Sequence, residues 1–323
     1  MHSNNPVEHF VTLFDSNYLP LGMCLHTSLM EQAQPFHLWV ICMDELVEQQ
    51  LQQLAMPHVS LIPLKKVETD ELLAVKNGRS RGEYCWTLTP FTPQFVFERD
   101  PTVEQVTYVD ADVFFFKSPR ILLKEFEESG KYVLVTEHAF SKQYEHYIRY
   151  GRFCVQFMTF TRTPEAKEVM RWWQERCIEW CYGHYEDGKF GDQGYLDIWP
   201  ERFPAAVHVL AQIEKTLAPW NLSRFAHNVN YLQEFVFYHF HGLKIVGENK
   251  IILYLGYNLE GNEGYIYGMY LKCIKKCIDT MKKHGMVIPV LPQKPESFGV
   301  FRAIIRRLWG TIRVAAIDQV LSA

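Results

Sequence analysis

The sequence predicts an α/β domain with a largely parallel central sheet flanked by helices, and three observations carry that reading. Short apolar runs of strand length alternate with segments whose apolar residues recur at helical period. Capping and turn residues fall between them. The chain of 323 residues is 48% apolar, enough to bury a sizeable core as one large domain or a domain with an appendage.

Taken in order, "HFVTLFD" reads as a first strand and "YLPLGMCLHTSLMEQ" as a helix. "FHLWVIC" is a second strand, "DELVEQQLQQLA" a helix capped by Asp44, and "HVSLIPL" a third strand. "YCWTLTPFTPQFVFER" is helical in period despite two prolines and leads into a strand ending at Asp110. "KYVLVTE" and "FCVQFMTF" read as strands, and "TPEAKEVMRWWQERCIEWC" as a long helix with Thr163 at its N-cap and Pro164 in its first turn. "AAVHVL" and "EFVFYHF" are later strands. No internal repeat or low-complexity tract interrupts the pattern.

The tail differs in kind. Tyr270, Cys273, Ile274, Cys277, Ile278 and Met281 recur at helical spacing among Lys272, Lys275, Lys276, Lys282 and Lys283. The spacing returns in Phe301, Ile304, Ile305, Leu308, Trp309 and Ile312, among Arg302, Arg306, Arg307 and Arg313. Residues 265–323 hold ten Lys/Arg against three Asp/Glu, although the whole chain carries a net charge of −4. The expectation is a main domain over 1–264 and a basic amphipathic helical tail over 265–323. Such a tail suits an anionic membrane surface, a flap packed on the sheet, or an oligomer contact.

Eight cysteines stand without any C-x-x-C pair, so reduced core residues are expected rather than a disulfide framework or a structural zinc site. No apolar run reaches the length of a membrane span, and "MHSNNPVEHF" has no signal-peptide pattern, so the expected location is cytoplasmic.

The chemistry-bearing stretch is "YVDADVFFFKSP". If the strand runs through it, Asp110 and Asp112 share one face while Ala111 points away. Two carboxylates at the carboxyl end of a strand in an open α/β sheet suit a hard divalent cation, Mg²⁺ or Mn²⁺; the plain alternative is a turn in which they cap amides. In "LAPWNLSRF", Trp220 offers an aromatic face and Asn221 an amide, the pair a saccharide acceptor takes, with core packing of Trp220 as the alternative. "RWWQERCIEWCY" is a helix packing its aromatic stripe and carries no assigned chemistry.

"YVDADVFFFKSP" resembles the D-x-D segment of GT-A glycosyltransferases, particularly the retaining family 8 enzymes such as lipopolysaccharide galactosyl- and glucosyltransferases. Three further segments resemble the family in the same order, over about residues 7–246. "FDSNY" is similar to the turn that holds the nucleotide, which implies donor contacts from Asp15, Asn17 and Tyr18; helix capping by Asp15 or Asn17 is the alternative. "GDQGYLD" is similar to the floor of the donor-sugar site, implying Asp192 on sugar hydroxyls and Gln193 beneath the anomeric carbon. "YHFHGLK" resembles H-F-x-G-x-x-K, implying His239 as metal ligand, Gly242 as close backbone approach and Lys244 as phosphate partner. Lys244 comes one residue early, so His241 competes with His239, as a ligand or as a donor contact.

Two departures stand out. The arginine often found before the D-x-D strand is missing from "EYCWTLTP", leaving Arg79 or Arg81 as substitutes. The family's "FNSG" appears as "FCVQ", with Cys154 and Gln156 in place of Asn and Gly.

The resemblance implies a Rossmann-like GT-A fold and a metal-dependent hexosyltransferase using a nucleotide sugar, UDP favoured, with Mn²⁺ or Mg²⁺ on Asp110, Asp112 and a histidine, and donor contacts that include Ala111 and Arg81. It implies retention of configuration, with stabilisation by Asp192 or Gln193 and attack from the leaving-group side both open. A saccharide or lipid-linked acceptor and a peripheral position on the inner membrane face would suit the basic tail; no nucleic-acid partner is expected. Two other classes remain. A sugar nucleotidyltransferase needs a glycine-rich loop that "VTLFDSNYLPLG" lacks, and a non-catalytic sugar-binding or scaffold protein needs no metal-bound diphosphate.

Overall fold

Strand β1 (Glu8–Phe14) is buried along almost its whole length, as a central strand covered on both faces must be. Alternate side chains divide two cores: Phe10 and Phe14 enter one, Val11 and Leu13 the other. The computed structural model describes residues 6–226, 234–247, 249–259, 264–290 and 312–316.

Helix α1 (Leu19–Gln32) follows β1, and β2 (Phe36–Cys42) returns parallel to it, in a register that sets Phe10 beside Leu38 and Val11 beside Trp39. Helix α2 (Glu45–Leu54) begins where the Asp44 carboxylate accepts from Val47 N at 2.8 Å, and β3 (Val59–Pro63) extends the sheet. Helix α3 (Asp70–Lys76) precedes the proline-bearing segment. That segment is two helices, α4 (Arg81–Leu88) and α5 (Thr92–Arg99), split by a tight turn over Thr89–Phe91 because Pro90 and Pro93 donate no amide.

Strand β4 (Gln105–Val109) pairs parallel with β1. After β5 (Val113–Phe115) come α6 (Arg120–Ser129), β6 (Val133–Glu137), β7 (Phe153–Thr161), α7 (Pro164–Glu179) and β8 (Val207–Val209). The seven-stranded sheet runs β3-β2-β1-β4-β7-β6-β8, with β7 antiparallel to both neighbours and every other pairing parallel. Helices flank this mostly parallel sheet, so the α/β architecture agrees with the sequence pattern. As expected, Thr163 caps α7, accepting from Ala166 N at 3.3 Å.

Asp110 lies just past β4, and Ala111 and Asp112 form a turn instead of continuing the strand. Beyond it β5 enters a second sheet with β9 (Thr216–Leu217) and β10 (Phe237–His239), in the order β5-β10-β9. The strand ends beside Asp110, as expected, and of the two readings of the Asp110–Asp112 pair the turn is the one that forms: Val113 N donates to Asp110 O at 3.1 Å and redirects the chain. Ala111 is buried.

Strands β11 (Lys244–Gly247) and β12 (Lys250–Leu255), which the sequence pattern did not single out, form a third sheet with β13 (Ile312–Ala316). Ile312 and Arg313 therefore belong to a strand, correcting their place in the second amphipathic helix; pairing with β12 overrides the local helical period. Residues 301–311 of that expected helix lie outside the described residues.

The first tail helix, Gly264–Lys283, forms as expected. Its apolar stripe is not available to a bilayer: Tyr270, Ile274, Ile278 and Met281 join the core that α1 shares, leaving Lys272, Lys276, Lys282 and Lys283 outward. No helix among the described residues is long and apolar enough to cross a membrane.

Candidate functional site

Three segments far apart in sequence meet where β4 ends. Asp110 N donates to Gln156 O of β7 at 3.2 Å, and Phe240 N donates to Asp112 O at 2.8 Å. Antiparallel pairing sets His239 opposite Val113, at the very end of β10. As a result His239 Nε2 stands 3.0 Å from Asp112 Oδ1 and 3.7 Å from Asp110 Oδ2. One ligand atom from each of Asp110, Asp112 and His239 lies within 4.8 Å of the others.

The neighbours of this trio hold its atoms in place. His239 Nδ1 donates to Gln156 Oε1 at 2.9 Å, which leaves Nε2 as the lone-pair atom of the neutral ring. The Tyr108 hydroxyl donates to Asp110 Oδ1 at 2.7 Å. Trp220 meets the His239 ring edge to face at 5.3 Å. Burial pushes the Asp110 carboxyl up, against the pull of His239. Burial also opposes charge on His239, yet the Asp112 carboxylate outweighs it and raises that imidazole well above its ordinary value. Two carboxylates in a site that draws positive charge so strongly fit a hard divalent cation, whose ligand atoms stand roughly 3–4 Å apart at metal–oxygen distances of about 2.1 Å.

His241 is exposed and stands outside the trio, its ring 5.6 Å from those of both Trp220 and His239. Gly242 turns the chain at φ +82°, left-handed backbone that a side chain would strain, and Lys244 opens β11 beyond it.

The nucleotide-side candidates gather at the ends of β1 and β2. Asp15 accepts from Asn17 N at 2.8 Å and from Asn17 Nδ2 at 3.3 Å, so the capping alternative does hold locally. Arg81 Nε stands 2.5 Å from Asp15 Oδ2, and the same guanidinium pairs with Asp44. Arg79 is buried and donates to Thr87 and to Ile178 O, whereas the Arg81 guanidinium lies at Asp15 and Asp44. Burial, then the charges of Asp112 and Asp15, push the Tyr18 phenol up.

Asp192 follows Gly191, held at φ +51°, and is 3% exposed with a buried Oδ2 that has no hydrogen-bond partner among the described residues. Burial and the charge of Asp110 push its carboxyl up to about 8, so it is mostly protonated at neutral pH. Gln193 Nε2 donates to Tyr150 O at 2.9 Å.

The acceptor expectation for Asn221 is corrected. Its side chain is fully buried and spent on backbone, donating to His138 O and Thr216 O at 3.0 Å and accepting from Ala218 N at 2.8 Å. Trp220 is 3% exposed and donates to His138 O at 2.9 Å, so it packs beneath the histidines. Sequence reasoning missed Gln156 and Tyr108 as orienting groups. The departure "FCVQ" was the one visible sign, and only the contact of its glutamine with His239 shows what that side chain does.

The chain is similar to the protein YfnD of Bacillus subtilis, 32% identical over 285 residues that cover 85% of this chain and 91% of the relative. It is likewise similar to YfnF of that organism, 31% identical over 258 residues, covering 75% and 84% of the two chains. Both are described as uncharacterized. Among solved structures, mouse xyloside xylosyltransferase 1 aligns at TM-score 0.48 and 14% identity, over 72% of this chain and 97% of that one. No protein-family model matches.

Proposed function

The chain belongs to the same family as YfnD and YfnF, and we propose that it is a metal-dependent glycosyltransferase moving a hexose from a nucleotide sugar, UDP-linked, to a hydroxyl acceptor with retention. The observation that carries this reading is the convergence of Asp110, Asp112 and the Gln156-oriented His239 where the parallel strand β4 ends. When bound there, Mn²⁺ or Mg²⁺ supplies positive charge to a departing diphosphate.

The chain's own groups supply the rest. Asp15, Asn17, Tyr18 and Arg81 surround the nucleotide, with Arg81 exchanging its carboxylate partners for donor oxygens. The Asp110–Asp112 turn, including the Ala111 backbone, and the Gly242 turn approach the diphosphate, and Lys244 adds charge beside it. His241 closes the donor site from its exposed edge. Asp192 presents a buried, uncommitted oxygen to a sugar hydroxyl, and Gln193 is carried with it on the following turn. Residues 1–264 form the donor site and the tail backs it. The outward lysines of the helix Gly264–Lys283 favour an anionic acceptor, such as a lipid-linked saccharide at the inner membrane face.

Incubating the protein and Mn²⁺ with a panel of nucleotide sugars, and measuring released nucleotide, tests the reading. Release from one UDP-hexose, abolished in Asp112→Asn, is expected; a panel that yields no release and no thermal stabilisation overturns it.

A further inference from the structure

Cys24, Cys273 and Cys277 come together away from the proposed donor site. Cys273 and Cys277 are one helical turn apart on the buried face of Gly264–Lys283, and Cys24 faces them from α1. The three thiols come from segments about 250 residues apart, so no spacing in the sequence announces them. All are buried, at 0%, 7% and 5% exposure respectively.

The Cys24 and Cys277 sulfurs are 3.7 Å apart, and all three lie within 4.8 Å of one another. Sulfurs bound at about 2.3 Å around one trigonal or tetrahedral ion stand roughly 3.8–4.0 Å apart, whereas a disulfide demands about 2.05 Å. The Cys24–Cys277 separation matches that of two ligands on one ion.

We propose that Cys24, Cys273 and Cys277 form a binding site for a soft, thiophilic d¹⁰ cation of the zinc class, tying the C-terminal helix to α1. Sulfur ligands select such ions over the hard cation that Asp110, Asp112 and His239 suit, so the two sites sort metals by ligand chemistry. The tie also bears on the donor site. Tyr270, three residues before Cys273, stacks on Phe240 with centroids 3.7 Å apart, and Phe240 lies between His239 and His241.

The test is a titration of the reduced, metal-stripped full chain with Cd²⁺, followed by ultraviolet thiolate-to-metal charge-transfer absorption, to which carboxylate and imidazole ligands contribute nothing. The expected result is a band saturating at one ion per chain, kept in Asp112→Asn and lost in Cys24→Ala and Cys277→Ala. No band in the wild-type chain overturns the proposal, as does an undiminished band in both cysteine variants, which would assign the ion to another thiol such as the buried Cys177–Cys181 pair. Should either variant fail to fold, the wild-type titration decides with a second reading. Zn²⁺ is expected to raise the thermal midpoint of Asp112→Asn, and no shift overturns the proposal. A band with no UDP binding would leave this site standing while the transferase reading fell.

Discussion

Gln156 Oε1 accepts the Nδ1 proton of His239 at 2.9 Å, and the opposite nitrogen of that ring faces Asp112 Oδ1 at 3.0 Å. One buried amide thereby fixes which nitrogen the cluster receives. Gln156→Leu removes the acceptor at similar volume, and should weaken Mn²⁺ binding by roughly 10–100-fold with only a small change in thermal midpoint. Isothermal titration with Mn²⁺ reads this directly.

The Asp192 carboxyl gives a pH-dependent stability. Its folded-state value is raised to about 8, above an unfolded value near 4, so the folded chain holds this proton longer than the unfolded chain. In the metal-free protein, stability should fall as pH rises between about 4 and 8, by on the order of a few kcal/mol, and level off above that. Asp192→Asn should flatten this slope in urea unfolding measured across that range.

At Gly242, φ +82° makes the residue type matter. Gly242→Ala should cost about 1–2 kcal/mol in backbone strain and shift Lys244, which follows it into β11. The expected readout is a lower thermal midpoint together with weaker UDP binding.

Ile274 is fully buried on the C-terminal helix, in the core that α1 shares. Ile274→Ala should destabilise the fold by about 2–5 kcal/mol, as deletion of packed side chains does. A stripe reserved for a membrane would cost almost nothing in chemical denaturation.

Much of the fold was legible because its signals are local. The apolar runs of β1, β2 and β3 and the caps Asp44 and Thr163 are written in adjacent residues, and each forms as the pattern requires. Asp110 and Asp112 were visible as a pair, but the sheet change at β5 was not, since the apolar "VFFF" fits a continuing strand equally well. His239 and His241 share a face in any strand reading; only the end of β10 at His239 separates the buried ring beside the carboxylates from the exposed one. Gln156, the partner strand β13 and the three-thiol cluster depend on contacts between distant segments, which no local period encodes.

Calorimetric titration of UDP into the wild-type chain and Asp112→Asn, each with and without Mn²⁺, tests the central claim most directly. Wild-type binding should strengthen by at least tenfold when Mn²⁺ is present, and Asp112→Asn should lose that gain. Binding indifferent to Mn²⁺ and unchanged by the substitution would contradict the assignment of Asp110, Asp112 and His239 to a metal-bound diphosphate.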